Sequence, residues 1–144
     1  MTRVFVTGMG VVSSLGLGKD AFWNAIVAGQ TGFSTIESFD TNALDRSVAG
    51  EVKNFRGRDF QTNAESRRMG RCSAFSLAAA RMAIEDAGLQ KEHLEGPQTS
   101  VIVGTTMGEA DVIGELEDAW IRKGAGALMN RRSREEQACP SRFR

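Results

Sequence analysis

An α/β fold is predicted by three observations. Two short apolar runs are each followed by glycine, three longer stretches carry helical apolar spacing, and the two kinds of segment alternate along the chain. Val4, Phe5 and Val6 form the first run and Ser100 to Gly104 the second, and β-branched and aromatic residues of this kind read as strands. Neither run alternates apolar with polar residues. That pattern suits strands of a mostly parallel sheet covered on both faces, so helices are expected above and below them.

The first helix is predicted over Lys19 to Ala28. Phe22 with Ile26 and Trp23 with Val27 sit at i,i+4 spacing, and Gly29 supplies the stop. A longer helix is predicted from Arg67 to Ala87, ended by Gly88. Its middle, Ala74 to Ala80, carries no charge and so should be deeply buried. A third runs from Asp111 to Lys123, with Val112, Leu116 and Ala119 or Trp120 on one face, and Gly124 ends it. Between the first two helices, Ser47 to Val52 reads as an edge strand and Asn54 to Thr62 as a polar loop. Residues 125–144, rich in arginine and lacking an apolar period, read as a loop or truncated end.

The chain has 144 residues, 41% of them hydrophobic and 25% charged, which is the make-up of a soluble globular domain of common size. Eighteen basic residues balance 18 acidic ones, so no global field favours nucleic acid or an anionic membrane. The opening residues are too short and too interrupted for a secretory signal or membrane span, and a cytoplasmic location is expected. Two cysteines, Cys72 and Cys139, and one histidine, His93, suggest neither a disulfide framework nor a metal site, and no cofactor is expected. Gly8-Met9-Gly10 after a strand invites a dinucleotide-binding reading. The third glycine of that motif is replaced by Ser13, and the following helix starts too late.

Taken in order, Val6 to Gly16, Phe22 to Gly32, Phe39-Asp40-Thr41, Ala49-Gly50-Glu51-Val52, Arg67-Arg68-Met69, Ala87-Gly88-Leu89 and Val103 to Gly108 resemble the opening of a β-ketoacyl synthase. The resemblance covers essentially the whole chain, residues 1–144. It implies a thiolase-like layered fold, alternating helix and sheet layers, of which this chain is the incomplete N-terminal part of one half. It also implies a homodimer, acyl carrier protein as partner, and condensation of an acyl thioester with malonyl carrier protein in fatty-acid or polyketide synthesis.

Family chemistry uses a cysteine thiolate at a helix N-terminus together with two histidines, or a histidine and an asparagine. One histidine in total rules out the two-histidine arrangement within these residues, so no catalytic residue is assigned and the chain by itself should not condense. Cys139, followed by Pro140, lacks the family's nucleophile pattern. Cys72 reads as a small hydrophobe inside the long helix, and His93 as part of a solvated loop. Arg67 and Arg68 match positions where the family presents basic side chains to the carrier protein, the plain alternative being a solvated helix start. Met107 resembles a position lining the acyl-chain pocket, the plain alternative being ordinary packing. The acidic run Glu109 to Asp118 reads as a wet helix face. Gly70 stands where the family usually has aspartate, and glycine costs about 1 kcal/mol in a helix interior, which bears on where the long helix starts. Two other readings stand beside the synthase: a non-catalytic ketosynthase-like chain that pairs with a catalytic partner, and a truncated frame without a stable fold.

Overall fold

The computed structural model describes residues 3–60, 62 and 69–124. Two units make up the chain, Met1–Gly104 and Thr105–Arg144.

In the first unit, β1 (Val12–Ser13) and β2 (Gly16–Leu17) form an antiparallel hairpin with Val12 opposite Leu17 and Ser13 opposite Gly16. Ser13 closes the turn locally, its hydroxyl donating to the Gly16 carbonyl at 3.1 Å and accepting from the Leu15 amide at 3.2 Å. Helix α1 (Lys19–Val27) follows at once, with Asp20 complementing the dipole in its first turn. It stops at Gly29, which takes φ of 66°, a conformation that glycine adopts without steric cost. A second hairpin pairs β3 (Ser34–Thr35) with β4 (Val48–Ala49), Ser34 opposite Ala49. The edge strand expected over Ser47 to Val52 is thus present in its first half.

Helix α2 (Arg71–Asp86) begins later than the sequence suggests. Gly70 is its N-cap in an extended conformation, a place where glycine is tolerated better than inside a helix, so Met69 and Gly70 precede the helix. Ala74 and Ala78 are buried, Ala78 completely. The charge-free middle is not buried all round, since Ser76 and Ala80 face solvent. Their small side chains leave the face open without much apolar exposure.

The close packing lies between α2 and the segment before β1. A β-carbon on Gly8 would stand 2.2 Å from the Ala83 carbonyl oxygen, and one on Gly10 would stand 1.9 Å from that of Ala79. Both glycines are therefore spacers that let one backbone lie directly on a helix. Asp86, at the end of the same helix, accepts from the Met9 amide at 3.0 Å and pairs with Lys19 of α1. One carboxylate thus ties three elements together.

This clip has a definite pH signature. The Lys19 hydrogen bond, aided by the Met9 amide, holds the Asp86 carboxyl below its ordinary value of 3.8, and the same bond raises Lys19 above 10.5. Stability from Asp86 is present above pH 3.8 and is lost as pH falls through its lowered value. The Lys19 contribution is complete below pH 10.5 and is lost as pH rises through its raised value. Asp86→Asn should lower the melting temperature at neutral pH and leave a flatter acid limb than the native chain. Melting curves across the acid range check this, and identical limbs would show that the clip stabilises nothing.

Several sequence expectations are corrected. Val4–Val6 and Val101–Val103 pair with no strand among the described residues, and both ladders there are antiparallel. Val4 is 91% exposed and Ile102 94%. An apolar run marks where a strand can form, but a ladder requires a second backbone alongside to take its amides and carbonyls. In α1 only Ala25 is buried and Phe22 half-buried, while Trp23, at 64% exposure, and Val27 face solvent. The polar loop expected over Asn54 to Thr62 contains a 3-10 turn at Gly57–Asp59 and an aromatic cluster. His93 belongs to a short helix, α3 (Lys91–Leu94), where its Nδ1 accepts from the Gln90 amide at 2.9 Å as half of a capping box.

The second unit holds α4 (Ala110–Lys123), where Val112, Leu116 and Ala119 are half-buried and Trp120 is exposed. Of the two alternatives for its apolar face, Ala119 is the one covered. Arg122 pairs with Asp118 one turn earlier, and Gly124 ends the helix at φ of 70°. No helix among the described residues is long and apolar enough to cross a membrane.

Candidate functional site

The glycine-spaced opening does not form a phosphate cradle. In such a cradle the amides point at the ligand from a helix N-terminus. Here the Met9 amide is already taken by Asp86, and the surface facing Gly8 and Gly10 is lined by helix carbonyl oxygens. Those oxygens would repel a pyrophosphate.

An open cleft of about 360 Å³ lies between the two hairpins, bordered by Ser13 to Leu17, Thr31 to Ser34 and Glu51 to Asn54. Several of its polar groups are committed to holding the loops. Ser13 closes its own turn, and the Thr31 hydroxyl accepts from the Phe33 amide at 3.3 Å. Ser14 fills the space at Gly32, where a β-carbon would come within 2.2 Å of its hydroxyl oxygen.

Glu51, from the Ala49 to Val52 segment, gathers three donors. The Glu37 amide reaches it at 2.9 Å, the Ser38 amide at 3.1 Å, and the Ser38 hydroxyl also donates. The Ser38 hydroxyl, and then the Glu37 amide, hold its carboxyl below the ordinary carboxylate value. Lys53 pairs with Glu37 beside it. A carboxylate so fully engaged is a loop clamp rather than an acid or base for chemistry.

The structure separates the residues singled out from the sequence. Arg67, Arg68 and Cys139 lie outside the described residues. Met107 belongs to the second unit and is 73% exposed, next to a turn in which the Gly108 amide donates to the Thr105 hydroxyl at 2.9 Å. Cys72 is corrected from the helix interior to the first turn of α2, because the helix starts at Arg71, and it is half-buried there. The Cys72 carbonyl accepts from Ser76. His93 is spent on its capping box and is exposed.

Sequence reasoning missed the cluster at the start of α2. Phe55 stacks on Phe60 with ring centres 5.8 Å apart, and Phe55 stands edge-on to Phe75 at 4.7 Å. Arg71 lies over Phe75 and donates to the Val52 carbonyl. Two phenylalanines bracketing a short charged stretch were the available signal.

Residues 1–137 match the family described as the β-ketoacyl synthase N-terminal domain. The chain is 34% identical over 122 residues to 3-oxoacyl-acyl-carrier-protein synthase 2 of Vibrio cholerae, covering 85% of this chain and 30% of that protein. It is 31% identical over 125 residues to the chloroplastic 3-oxoacyl-acyl-carrier-protein synthase I of Arabidopsis thaliana, covering 85% of this chain and 26% of that one. Among solved structures it is similar to the ishigamide ketosynthase/chain length factor, with a TM-score of 0.75 and 36% identity over 83% of this chain and 30% of the other. The chain thus spans about 30% of the length of the curated Vibrio relative.

Proposed function

Because this chain belongs to the β-ketoacyl synthase family, we propose that it serves, as the N-terminal part of such a synthase, the condensation of an acyl thioester with malonyl-acyl carrier protein. The match over residues 1–137 carries this reading. In the reaction a cysteine thiolate attacks the donor acyl thioester, whose C–S bond breaks to release the donor thiol, and the acyl group is held on the cysteine as a new thioester. The malonyl carbon then loses carbon dioxide, and its electron pair attacks the acyl carbonyl. The thiolate leaves, and the product is a 3-oxoacyl carrier thioester. The nucleophile and histidines are to be supplied from outside these residues, since the chain holds a single histidine. The protein would work in the cytoplasm as a homodimer of thiolase-like layered halves.

The contribution of these residues is scaffold and recognition. Arg67 and Arg68 would dock the acyl carrier protein through carboxylate pairing, and Met107 would border the acyl-chain pocket, where a flexible thioether yields to chains of different length. The loop or end expected over residues 125–144 lies outside the described residues. Arg67→Glu/Arg68→Glu in a whole synthase that contains this chain should raise the apparent KM for carrier protein about tenfold, with kcat little changed. Steady-state kinetics with malonyl carrier protein as the varied substrate tests this, and an unchanged KM would defeat the docking role.

The likeness to a ketosynthase/chain length factor favours a second reading, a non-catalytic chain that pairs with a catalytic partner. A condensation assay on the protein as isolated separates the two. Formation of a 3-oxoacyl carrier thioester supports the synthase. Binding of carrier protein or of a full-length synthase without turnover supports the partner.

A further inference from the structure

We propose that the turn carrying Arg56 and Arg58 is a second docking surface for the acyl carrier protein, presented outward by the aromatic cluster beneath it. This inference rests on the reading that a carrier protein is the partner. The sequence Phe55-Arg56-Gly57-Arg58-Asp59-Phe60 places a ring at each end of the 3-10 turn Gly57–Asp59. The rings stack on each other, Phe55 packs edge-on against Phe75 of α2, and the backbone between them is closed by bonds from the Asp59 and Phe60 amides to the Arg56 and Gly57 carbonyls. The start of α2 is fastened to the same region through Arg71. The turn is thereby held from both ends, and Arg56 and Arg58 are exposed.

Within the first unit Lys19, Lys53 and Lys91 each pair with a carboxylate, whereas Arg56 and Arg58, like Arg3 and Arg46, have no side-chain partner among the described residues. Two guanidinium forks on a braced turn, against one carboxylate in Asp59, leave a local positive excess on a chain whose formal net charge is zero. Guanidinium groups take carboxylates in paired, planar contacts, and little further ordering is needed when the backbone beneath them is fixed. An acidic protein surface fits this display better than an extended polyanion, because the rest of the chain adds no long-range positive field.

The test is binding of purified holo-acyl carrier protein to the protein as isolated, measured by fluorescence anisotropy at low and at moderate salt. Arg56→Glu/Arg58→Glu should weaken binding about tenfold at low salt and less at moderate salt, while Arg56→Lys/Arg58→Lys should weaken it only about twofold. Arg56→Gln/Arg58→Gln, with an unchanged circular dichroism melting curve, should lie between them and separates docking from folding. Unchanged affinity in the glutamate variant, while Arg67→Glu/Arg68→Glu still weakens binding, would overturn this inference and leave the proposed function standing. No binding by the native protein would overturn both. If heparin binding falls as much as carrier binding, the turn is a general polyanion site and the carrier assignment fails.

Discussion

Gly10→Ala should destabilise the first unit by about 3 kcal/mol, at the upper end of what overpacking costs, because the added methyl meets backbone rather than a side chain. The new β-carbon would stand 1.9 Å from the Ala79 carbonyl oxygen and 2.9 Å from the Ala83 nitrogen, and neither atom can rotate away. Relief requires moving the segment away from α2, which would also stretch the Met9 amide from Asp86. Gly10 does not have a positive φ, so alanine suits its backbone conformation and the loss is one of space alone. Gly96→Ala is the matched control, since a β-carbon there meets nothing within 4 Å, and its effect should stay within about 0.5 kcal/mol. Urea unfolding of both variants measures the difference. Equal midpoints would mean that the two backbones are not in contact in solution.

The 144 residues assayed by themselves, with acyl and malonyl carrier thioesters, should release no carbon dioxide above the blank. Losing nucleophile and base together costs on the order of a millionfold in enzymes that depend on both, beyond what binding residues offset. His93, the one histidine, sits on the surface with Nδ1 engaged by the Gln90 amide. Cys72 stands in the first turn of α2, where a helix dipole favours thiolate, but no second imidazole exists in the chain to assist it. Radiolabelled malonyl carrier protein gives the most sensitive readout. Turnover abolished by Cys72→Ala would make Cys72 a nucleophile and overturn the scaffold role proposed for these residues.

Much of the helical content was legible. Phe22, Ile26 and a following Gly29 define α1 to within a residue of its end, and Val112, Leu116 and Ala119 mark the covered side of α4. Helical hydrogen bonds close within one turn, so residues a few places apart carry the information. The start of α2 was less legible. Arg67 to Gly70 offers no apolar period, and the helix begins where Gly70 can cap it. The candidate site was legible only in part. Arg67, Arg68 and Met107 came from matching family motifs, while Arg56 and Arg58 gain their meaning from rings that pack across α2.

By itself the sequence determined the family, through an ordered set of motifs that needs no coordinates, and the helices, through local periodicity. Tertiary structure alone decided what the glycines at 8 and 10 are for. The oxygens they must clear belong to residues some 70 places later, and no local pattern states that two backbones will touch. It also decided strand pairing. Val4–Val6 and Val101–Val103 have the composition of strands, whereas the ladders form at Val12 with Leu17 and at Ser34 with Ala49. Side-chain preference is a property of one segment, but a ladder is a property of two, and where the second lies depends on how the chain as a whole folds back on itself.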